Sequence, residues 1–340
     1  MRANVRGGTA RDPLEEPVPV VDADLAAGVL RSAYGISGAL RPLPGERDLN
    51  FDVRAASGER YVLKFVSPAD PAEVVEMRVG AISHVRRVDP GLPVADLVPT
   101  ADGGTGTRAT GADGRVSQVQ CYRFLPGHHA AREELGPDAL AGLGRTAARL
   151  GRALRGYFHP AAAYSIPWDL RHAGELVGRL GLLAEPERSL AREALARFVS
   201  RAAPVVPSLR AQVVHNDLSR DNVLVDDSGS VVGILDFGDL THTSLVFDLA
   251  IAIADVLDGR PGSVELAVPL VAGYSSLTPL EDDEAALLGD LVATRLAAAV
   301  VLGSWRRERH GAAPTYVDGA GRFLSLVAET GFDEFAAGLA

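Results

Sequence analysis

One stretch of the sequence, residues 215–239, restricts the fold more than any other. It begins with the polar run His-Asn-Asp-Leu-Ser-Arg-Asp-Asn, enters an apolar Val-Leu-Val segment, and turns at Asp-Asp-Ser-Gly into a second apolar segment that ends in Leu-Asp-Phe-Gly-Asp. Two apolar runs joined by such a turn predict a β-hairpin. Because the outer ends of paired hairpin strands lie side by side, we expect Asp217, Asn222 and Asp236 to meet at one point.

These three side chains suggest a chemistry as well as a fold. Carboxylate and amide oxygens are the ligands that Mg²⁺ prefers in combination with phosphate oxygens. A further Asp that binds no metal can orient and deprotonate a hydroxyl acceptor. Either half of the pattern alone is weak, since an isolated Asp-Phe-Gly is typical of a turn or a helix cap. Joined in this order across one hairpin, the two halves predict a phosphoryl-transfer site.

The rest of the chain divides into parts of different character. Residues 1–20 carry little apolar content and predict a flexible arm. Residues 21–125 contain short strands separated by turns and helical patterns near 22–34 and 71–88, which predict a small, sheet-rich N-terminal lobe. A break at Pro126-Gly127 precedes a larger, mainly helical lobe over 126–340 that includes the hairpin. Its helical patterns include residues 138–157, 170–183 and 186–201. The expected fold class is therefore α+β.

Composition limits the partners of the protein. The 340 residues include 34 Lys and Arg against 44 Asp and Glu, a net charge of −10, which argues against nucleic acid as the main partner. The most apolar runs, 245–257 and 291–303, are interrupted by charges such as Asp248 and Arg295, so we expect core helices and no membrane span. The N-terminal residues lack the apolar stretch of a signal peptide. A single cysteine, Cys121, needs no oxidising compartment, and we expect a cytoplasmic protein.

On these motifs the chain, from about Asp22 to its end, resembles the aminoglycoside phosphotransferase and choline kinase family of protein-kinase-like small-molecule kinases. The resemblance implies a two-lobed protein-kinase-like fold, Mg²⁺, and ATP as the co-substrate with GTP left open. It implies that Asp217 is the catalytic base and that Asn222 and Asp236 are the metal ligands. It also implies that His215 structures the loop without taking part in the reaction.

The sequence departs from the family pattern at two positions of this loop. Asn216 stands where the family commonly has Gly, and Ser219 stands where it commonly has His. The Ser219 hydroxyl donates one neutral hydrogen bond, which stabilises a phosphate less than a cation does. The neighbouring Arg220 is open to two interpretations, a phosphate contact or a solvated surface residue.

Lys64 lies inside the apolar segment Arg-Tyr-Val-Leu-Lys-Phe-Val at residues 60–66. Alone, such a lysine is typical of an edge strand. The resemblance implies that Lys64 binds the α- and β-phosphates of the nucleotide and pairs with a Glu on the next helix. Glu73 and Glu76 share one face of that helix, and we favour Glu76 with Glu73 as the alternative. The turn at 44–48 corresponds to the nucleotide-covering loop of the family, although it holds a single glycine.

A further resemblance limits the chemical class of the acceptor. Residues 45–51 and 236–252 are most similar to the hydroxylysine kinase branch, which implies a small hydroxyl acceptor that is amino-acid-like or an amino alcohol. The alternative is an antibiotic O-phosphotransferase that acts on an aminoglycoside or a nucleoside antibiotic. A non-catalytic kinase-like binding module is disfavoured because the residues that the family's reaction requires are all present, namely Lys64, Asp217, Asn222 and Asp236. A protein kinase is disfavoured because no activation segment follows residue 239.

Acidic residues of the C-terminal lobe are compatible with a cationic acceptor. The run Glu281–Glu284 is, however, typical of a solvated helix N-terminus. Asp239 and Asp248 stay open between acceptor contacts and capping or bracing the helix after the loop. Trp305 stays open between a core aromatic residue and a wall of the acceptor site. The oligomeric state stays open between a monomer and a homodimer.

Overall fold

A computed structural model describes residues 18–45, 47–130, 135–257, 263–311 and 316–339. The chain divides into two compact units. The first comprises the residues up to 80 together with 95–124, and the second comprises 81–94 and the residues from 125 onward. Most of the predicted N-terminal arm, residues 1–17, lies outside the described residues. The predicted lobe boundary lies next to the break after Phe124, whereas residues 81–94 group with the second unit.

The first unit begins with helix α1 (Ala23–Tyr34), which the Asp22 side chain caps by accepting from Leu25 N at 2.8 Å. The elements that follow are β1 (Gly38–Leu43), β2 (Leu49–Ala55), β3 (Arg60–Phe65), α2 (Ala72–Val88), β4 (Leu97–Val98), β5 (Thr107–Thr110) and β6 (Val116–Arg123). The strands form an antiparallel sheet in the order β1-β2-β3-β6-β4, with β5 also paired to β6. The predicted strands and the two predicted helices of this part are confirmed.

Strand β3 determines the side of the sheet from which Lys64 extends. Its side chains alternate, with Tyr61, Leu63 and Phe65 buried. Phe65 packs edge-on against Phe51 of β2 at a centroid distance of 6.0 Å, in a core that α1 also covers. Since alternate residues of a strand face opposite sides, Lys64 extends from the face that the core does not use.

The second unit contains seven helices within the part of the chain that the structure describes, together with the end of α2. They are α3 (Pro137–Leu154), α4 (Glu187–Arg197), α5 (Val246–Val256), α6 (Ala267–Ser275), α7 (Asp282–His310), α8 (Tyr316–Thr330) and α9 (Phe332–Leu339). The predicted helix at 170–183 forms as 3-10 turns over Leu170–Leu182. Three glycines in that stretch, at 174, 178 and 181, weaken the α-helical preference. The predicted helix at 186–201 is α-helical to Arg197 and then widens into a π turn, Phe198–Ala202.

The second unit also contains short strands. They are β7 (His128–His129), β8 (Ala211–Val214), β9 (Val223–Val225), β10 (Val231–Ile234) and β11 (Thr241–Ser244). Strands β9 and β10 pair antiparallel, so the predicted hairpin is confirmed. Strand β7 pairs with the free side of β9, and β8 pairs with β11. Strands β7 and β11 were not predicted, because their polar residues show no apolar alternation.

Helix α7 is the centre of the helical part. It packs against α4, α5, α8 and α9. Within the described residues, α7 alone is long and apolar enough to cross a membrane. However, 83% of its most apolar stretch of 18 residues is buried inside the protein. Burial of this kind is expected of a core helix, in agreement with the sequence.

The acidic start of α7 is a helix cap. Glu281 and Glu284 form a capping box, in which each side chain accepts from the backbone N–H of the other. Glu284 is fully buried and forms an ion pair with Arg210, which donates from Nε to Oε1 at 2.9 Å and from Nη2 to Oε2. The prediction of a solvated terminus therefore holds for Glu281, Asp282 and Asp283, which are exposed, and is wrong for Glu284.

We expect Glu284→Ala to lower the free energy of unfolding by about 3 kcal/mol, because it leaves Arg210 without its buried partner. Urea denaturation followed by circular dichroism measures the change. Asp283→Ala is the matched control, since Asp283 is an exposed acidic residue of the same helical turn, and we expect a loss of only a few tenths of a kcal/mol. Equal losses in the two variants would show that the Arg210 pair contributes nothing.

Candidate active site

The mouth of the β9–β10 hairpin brings the predicted residues of the second unit together. Asn222 Nδ2 donates to Asp217 Oδ2 at 2.6 Å and to the Asp217 carbonyl at 2.9 Å. The Leu235 N–H donates to the Asn222 carbonyl at 2.8 Å, which brings the next residue, Asp236, close to Asn222. Asp236 also acts electrostatically on the Asp217 carboxyl. Two carboxylates and one amide therefore lie in a single small region.

The Asp236 backbone makes a sharp turn at the end of β10. Its φ of 48° lies in the left-handed region, and its Oδ1 accepts from Gly238 N at 3.0 Å. The chain then forms a 3-10 turn, Phe237–Asp239, and the Phe237 ring packs edge-on against His215 at 4.8 Å. His215 Nδ1 accepts from Asp217 N at 3.3 Å, so Nε2 donates to the Leu235 carbonyl at 2.9 Å. His215 thus connects the two chain segments that carry the site.

The loop before Asp217 is held by a buried carboxylate, Asp248, in the first turn of α5. Its Oδ2 accepts from His215 N at 3.1 Å and its Oδ1 from Asn216 N at 2.6 Å. Burial raises the pKa of Asp248, while His215 and the two N–H groups act against that rise. Of the two roles that the sequence left open, these contacts support a structural brace for the loop.

Asn216 occupies a strained position in this loop. It is fully buried with φ 65°, a left-handed conformation that favours glycine. Neither Oδ1 nor Nδ2 has a hydrogen-bond partner among the described residues. A buried amide without partners costs free energy, so this departure from the family pattern destabilises the folded state.

Asp217 is flanked by a cation that the sequence analysis did not assign to the site. Arg295, in the middle of α7, lies with Nη2 3.1 Å from Asp217 Oδ1. Burial and the nearby carboxylates of Asp239, Asp236 and Asp255 raise the pKa of Asp217 to about 7, against the opposing effect of Arg295. The sequence feature that indicates a special role for Arg295 is its charge inside an otherwise apolar run. Above, that charge served only to exclude a membrane span.

Arg220 is held by an ion pair within the second unit. Its backbone N–H donates to Asp255 Oδ2 at 2.8 Å, and its Nε lies 2.9 Å from the same oxygen. Asp255 lies in the last turn of α5. Arg220 is therefore not the solvated surface residue considered from the sequence, since it fastens the loop to α5.

In the first unit, Lys64 has a carboxylate partner that the sequence did not single out. Lys64 Nζ lies 2.7 Å from Asp48 Oδ2, and Asp48 Oδ1 accepts from Ser67 N at 2.8 Å. The antiparallel register, which pairs Asn50 with Lys64, carries residue 48 to the end of β3. Glu76 is exposed on α2, and its role as the partner of Lys64 stays a prediction.

An ion pair of the neighbouring residue, Arg47, also holds the turn that carries Asp48. Arg47 Nη2 lies 2.6 Å from Oδ1 of Asp70, whose Oδ2 is bound by Arg78 of α2. The Asp70 side chain is buried. The two ion pairs and the Asp48 contacts together fix the turn that the sequence analysis compared with a nucleotide-covering loop.

Trp305 is buried in the second unit. It lies against the guanidinium groups of Arg179 and Arg309, at 5.0 and 5.1 Å from the ring centroid. These contacts are those of a packed core aromatic residue at the edge of α7.

The oxygen donors of the hairpin mouth suit a hard divalent cation. No group of three or more His, Cys, Asp and Glu side chains that could hold a metal occurs among the described residues. Because Asn222 Nδ2 faces Asp217, Oδ1 lies on the other side of the amide. That oxygen and the Asp236 carboxylate are the residues that could hold Mg²⁺, which takes few protein ligands when phosphates and water complete its shell.

The fold and the hairpin mouth define the class of the protein as a small-molecule phosphotransferase. A model described as the phosphotransferase enzyme family matches residues 39–288, well over half of the chain. The chain belongs to this family.

Two groups of characterised relatives are similar over most of their length. The chain is 27% identical to hydroxylysine kinase from Mus musculus over 313 residues, which covers 84% of this chain and 83% of the relative. It is 29% identical to homoserine kinase from Pseudomonas aeruginosa over 263 residues, 76% of each chain.

Solved structures show the same fold. A microcompartment-associated aminopropanol kinase superposes with a TM-score of 0.72 at 21% identity, covering 93% of this chain and 99% of that chain. An amicoumacin kinase in complex with AMP-PNP and Ca²⁺ superposes with a TM-score of 0.71 at 16% identity, covering 92% and 95%. The predicted α+β class and protein-kinase-like fold are confirmed.

We expect Asn216→Gly to raise the free energy of unfolding by about 1 kcal/mol. Relief of the left-handed strain and of the two unpartnered polar atoms exceeds the entropy that glycine adds to the unfolded chain. Thermal and urea denaturation measure the change. Asn216→Ala is the control, because it removes the polar atoms but keeps the strain. An alanine variant as stable as the glycine variant would contradict the assigned strain.

Proposed function

We propose that this protein transfers the γ-phosphoryl group of ATP to a hydroxyl of a small acceptor that is amino-acid-like or an amino alcohol. The observation that carries the reaction class is the placement of Asp217 against Asn222, with Asp236 close by, at the mouth of one hairpin. A base and two oxygen ligands are the parts that transfer from a metal-bound triphosphate requires.

The acceptor class is supported by the relatives. Hydroxylysine and homoserine, after which the two groups of kinases are named, are both amino acids with a side-chain hydroxyl. Similarity over more than four-fifths of the hydroxylysine kinase extends beyond the hairpin to the helices of the second unit. We therefore place an amino-acid-like acceptor first and an amino alcohol second.

The proposed reaction is a direct displacement. The acceptor oxygen forms a bond to the γ-phosphorus while the bond from that phosphorus to the β–γ bridging oxygen breaks, and ADP leaves. The hydroxyl proton passes to Asp217, which also orients the attacking oxygen. No protein group is modified, so the reaction needs one acceptor and one nucleotide.

The proposal also names residues for the metal and for the nucleotide. Asn222 and Asp236 would hold Mg²⁺, which offsets phosphate charge when bound. Lys64 is proposed to bind the α- and β-phosphates, with Glu76 as its predicted partner. The amicoumacin kinase structure contains AMP-PNP and Ca²⁺, which supports a nucleotide with a divalent cation in this fold.

The electrostatics of the second unit favour a positively charged acceptor. Asp239 acts on Asp217 with a negative charge, and the net charge of the chain is −10. An ammonium group on the acceptor would be attracted to this region. We also propose a cytoplasmic location and a monomer or homodimer.

The substrate class is tested by coupled-assay detection of ADP release with Mg·ATP. The panel contains hydroxylysine, homoserine, aminopropanol, an aminoglycoside and a nucleoside antibiotic. We expect acceptor-dependent ADP release with an amino acid or the amino alcohol. Release with an antibiotic alone would replace the proposed acceptor by the alternative, and no acceptor-dependent release at all would support a binding module.

The roles of the two carboxylates are separated by a pair of variants. We expect Asp217→Ala to lower kcat by about 1,000-fold, as loss of a general base does, with nucleotide affinity retained. We expect Asp236→Ala to weaken Mg·ATP binding, because a metal ligand is lost. Turnover and isothermal titration calorimetry measure both variants.

Asp221→Ala is the matched control for this pair, since Asp221 is an exposed carboxylate of the same loop. It should leave both quantities near their original values. An Asp217 variant with near-normal kcat, or an Asp236 variant with unchanged nucleotide affinity, would refute the corresponding role.

A further inference from the structure

The Asp217 carboxylate is held at both oxygens by different elements. Asn222 Nδ2 donates to Oδ2 at 2.6 Å, and Arg295 Nη2 donates to Oδ1 at 3.1 Å. One contact leaves a carboxylate able to rotate about its last bond, whereas contacts on both oxygens fix its plane. Asn222 comes from the catalytic loop itself, so Arg295 is the link between Asp217 and the helical core.

Arg295 is itself held in a defined place. It lies in the middle of α7, and only 13% of its side chain is exposed. Its guanidinium group stacks over the Trp168 ring at 4.6 Å from the centroid. Stacking on an aromatic face together with a carboxylate contact uses both recognition modes of a planar guanidinium. Trp168 is buried, which gives the stack a rigid support.

The charges around Asp217 indicate what the contact with Arg295 does. Asp236, Asp239 and Asp255 act on Asp217 with the same sign of charge. Without a cation at Oδ1, repulsion favours a rotamer that moves the carboxylate away from its neighbours. The guanidinium group opposes that movement at the side that Asn222 does not cover.

We infer that Arg295, supported by Trp168, is a positioning residue that sets the orientation of Asp217 toward the acceptor hydroxyl. The inference rests on the proposed function of Asp217 as the base. Arg295 acts through Asp217, so its loss should reduce the rate of transfer far more than the binding of either substrate.

Three substitutions at Arg295 test this role. Arg295→Met removes the charge and the donors while keeping the length. Arg295→Lys keeps the charge but offers a point donor that cannot stack as a plane. Arg295→Ala opens space that free guanidinium ion can enter.

Arg197→Met is the matched control. Arg197 has 18% of its side chain exposed, lies 2.7 Å from Asp290 of α7 and stacks on Phe332 at 5.3 Å. It therefore reproduces the burial, ion pair and aromatic contact of Arg295 away from the hairpin mouth.

We expect Arg295→Met to lower kcat by about 100-fold, as small misplacements of reacting groups do, with the KM for acceptor and the affinity for Mg·ATP within about threefold of the original. Arg295→Lys should lose about tenfold, because a single donor replaces a planar one. Guanidinium chloride at millimolar concentration should restore activity to Arg295→Ala and not to Arg295→Met, whose side chain fills the space. Arg197→Met should lower thermal stability and leave kcat within about threefold.

Three results would overturn the inference. One is a kcat for Arg295→Met like that of the original protein. Another is a loss confined to the acceptor KM, which would make Arg295 an acceptor-binding residue. The third is a kcat loss in Arg197→Met as large as in Arg295→Met, which would reduce Arg295 to a stabilising residue.

A crystal structure of Arg295→Met separates this inference from the proposed function, because it needs no acceptor. We expect the Asp217 carboxylate to keep its contact with Asn222 through Oδ2 and to rotate, so that Oδ1 leaves its original place. A carboxylate in its original place would contradict the positioning role. Failure of the proposed function would be seen separately, as the absence of acceptor-dependent ADP release by the original protein.

Discussion

The site depends on two hydrogen bonds that the buried carboxylate of Asp248 accepts. Consecutive backbone N–H groups, those of His215 and Asn216, both donate to it. These donors lie where the chain leaves β8 and adopts a left-handed turn at Asn216, a place where no strand pairing can satisfy them. Because Asp248 belongs to the first turn of α5, the direction in which Asp217 leaves the strand is set by the position of a helix.

Helices α5 and α7 therefore hold the loop that carries Asp217, residues 215–222. Helix α5 holds the start of the loop through Asp248 and its middle through the Asp255–Arg220 pair. Helix α7 contacts the loop through Arg295 and is fixed at its own start by Glu284. Rigid elements position a site more accurately than loops do, and here a loop gains that accuracy from ion pairs to two core helices.

The sequence was sufficient for features that depend on local pattern. Two apolar runs around a turn predicted the β9–β10 hairpin, and hairpin geometry then predicted that Asp217, Asn222 and Asp236 would meet. The alternating segment around Lys64 likewise predicted strand β3. In each case the relevant residues are close along the chain, so periodicity and turn chemistry carry the information.

The features that escaped prediction depend on contacts distant in sequence or on competing preferences. Arg295 reaches Asp217 from a helix near the other end of the chain, and no local pattern indicates that pairing. Asp48 reaches Lys64 only through the antiparallel register of β2 and β3, which no local sequence pattern determines. In the sequence, Glu284 is one of four consecutive acidic residues and cannot be told apart from its exposed neighbours. Its burial follows from the packing of α7 against Arg210.

The turn between β1 and β2 shows a wider consequence of such anchoring. Surface turns between strands usually accept extra residues during evolution, because their backbone contacts little else. This turn is fastened to the end of β3 through Asp48 and to α2 through Asp70. Its length is thereby tied to the spacing of two other elements, and lineages that diversify this protein should keep its residue count.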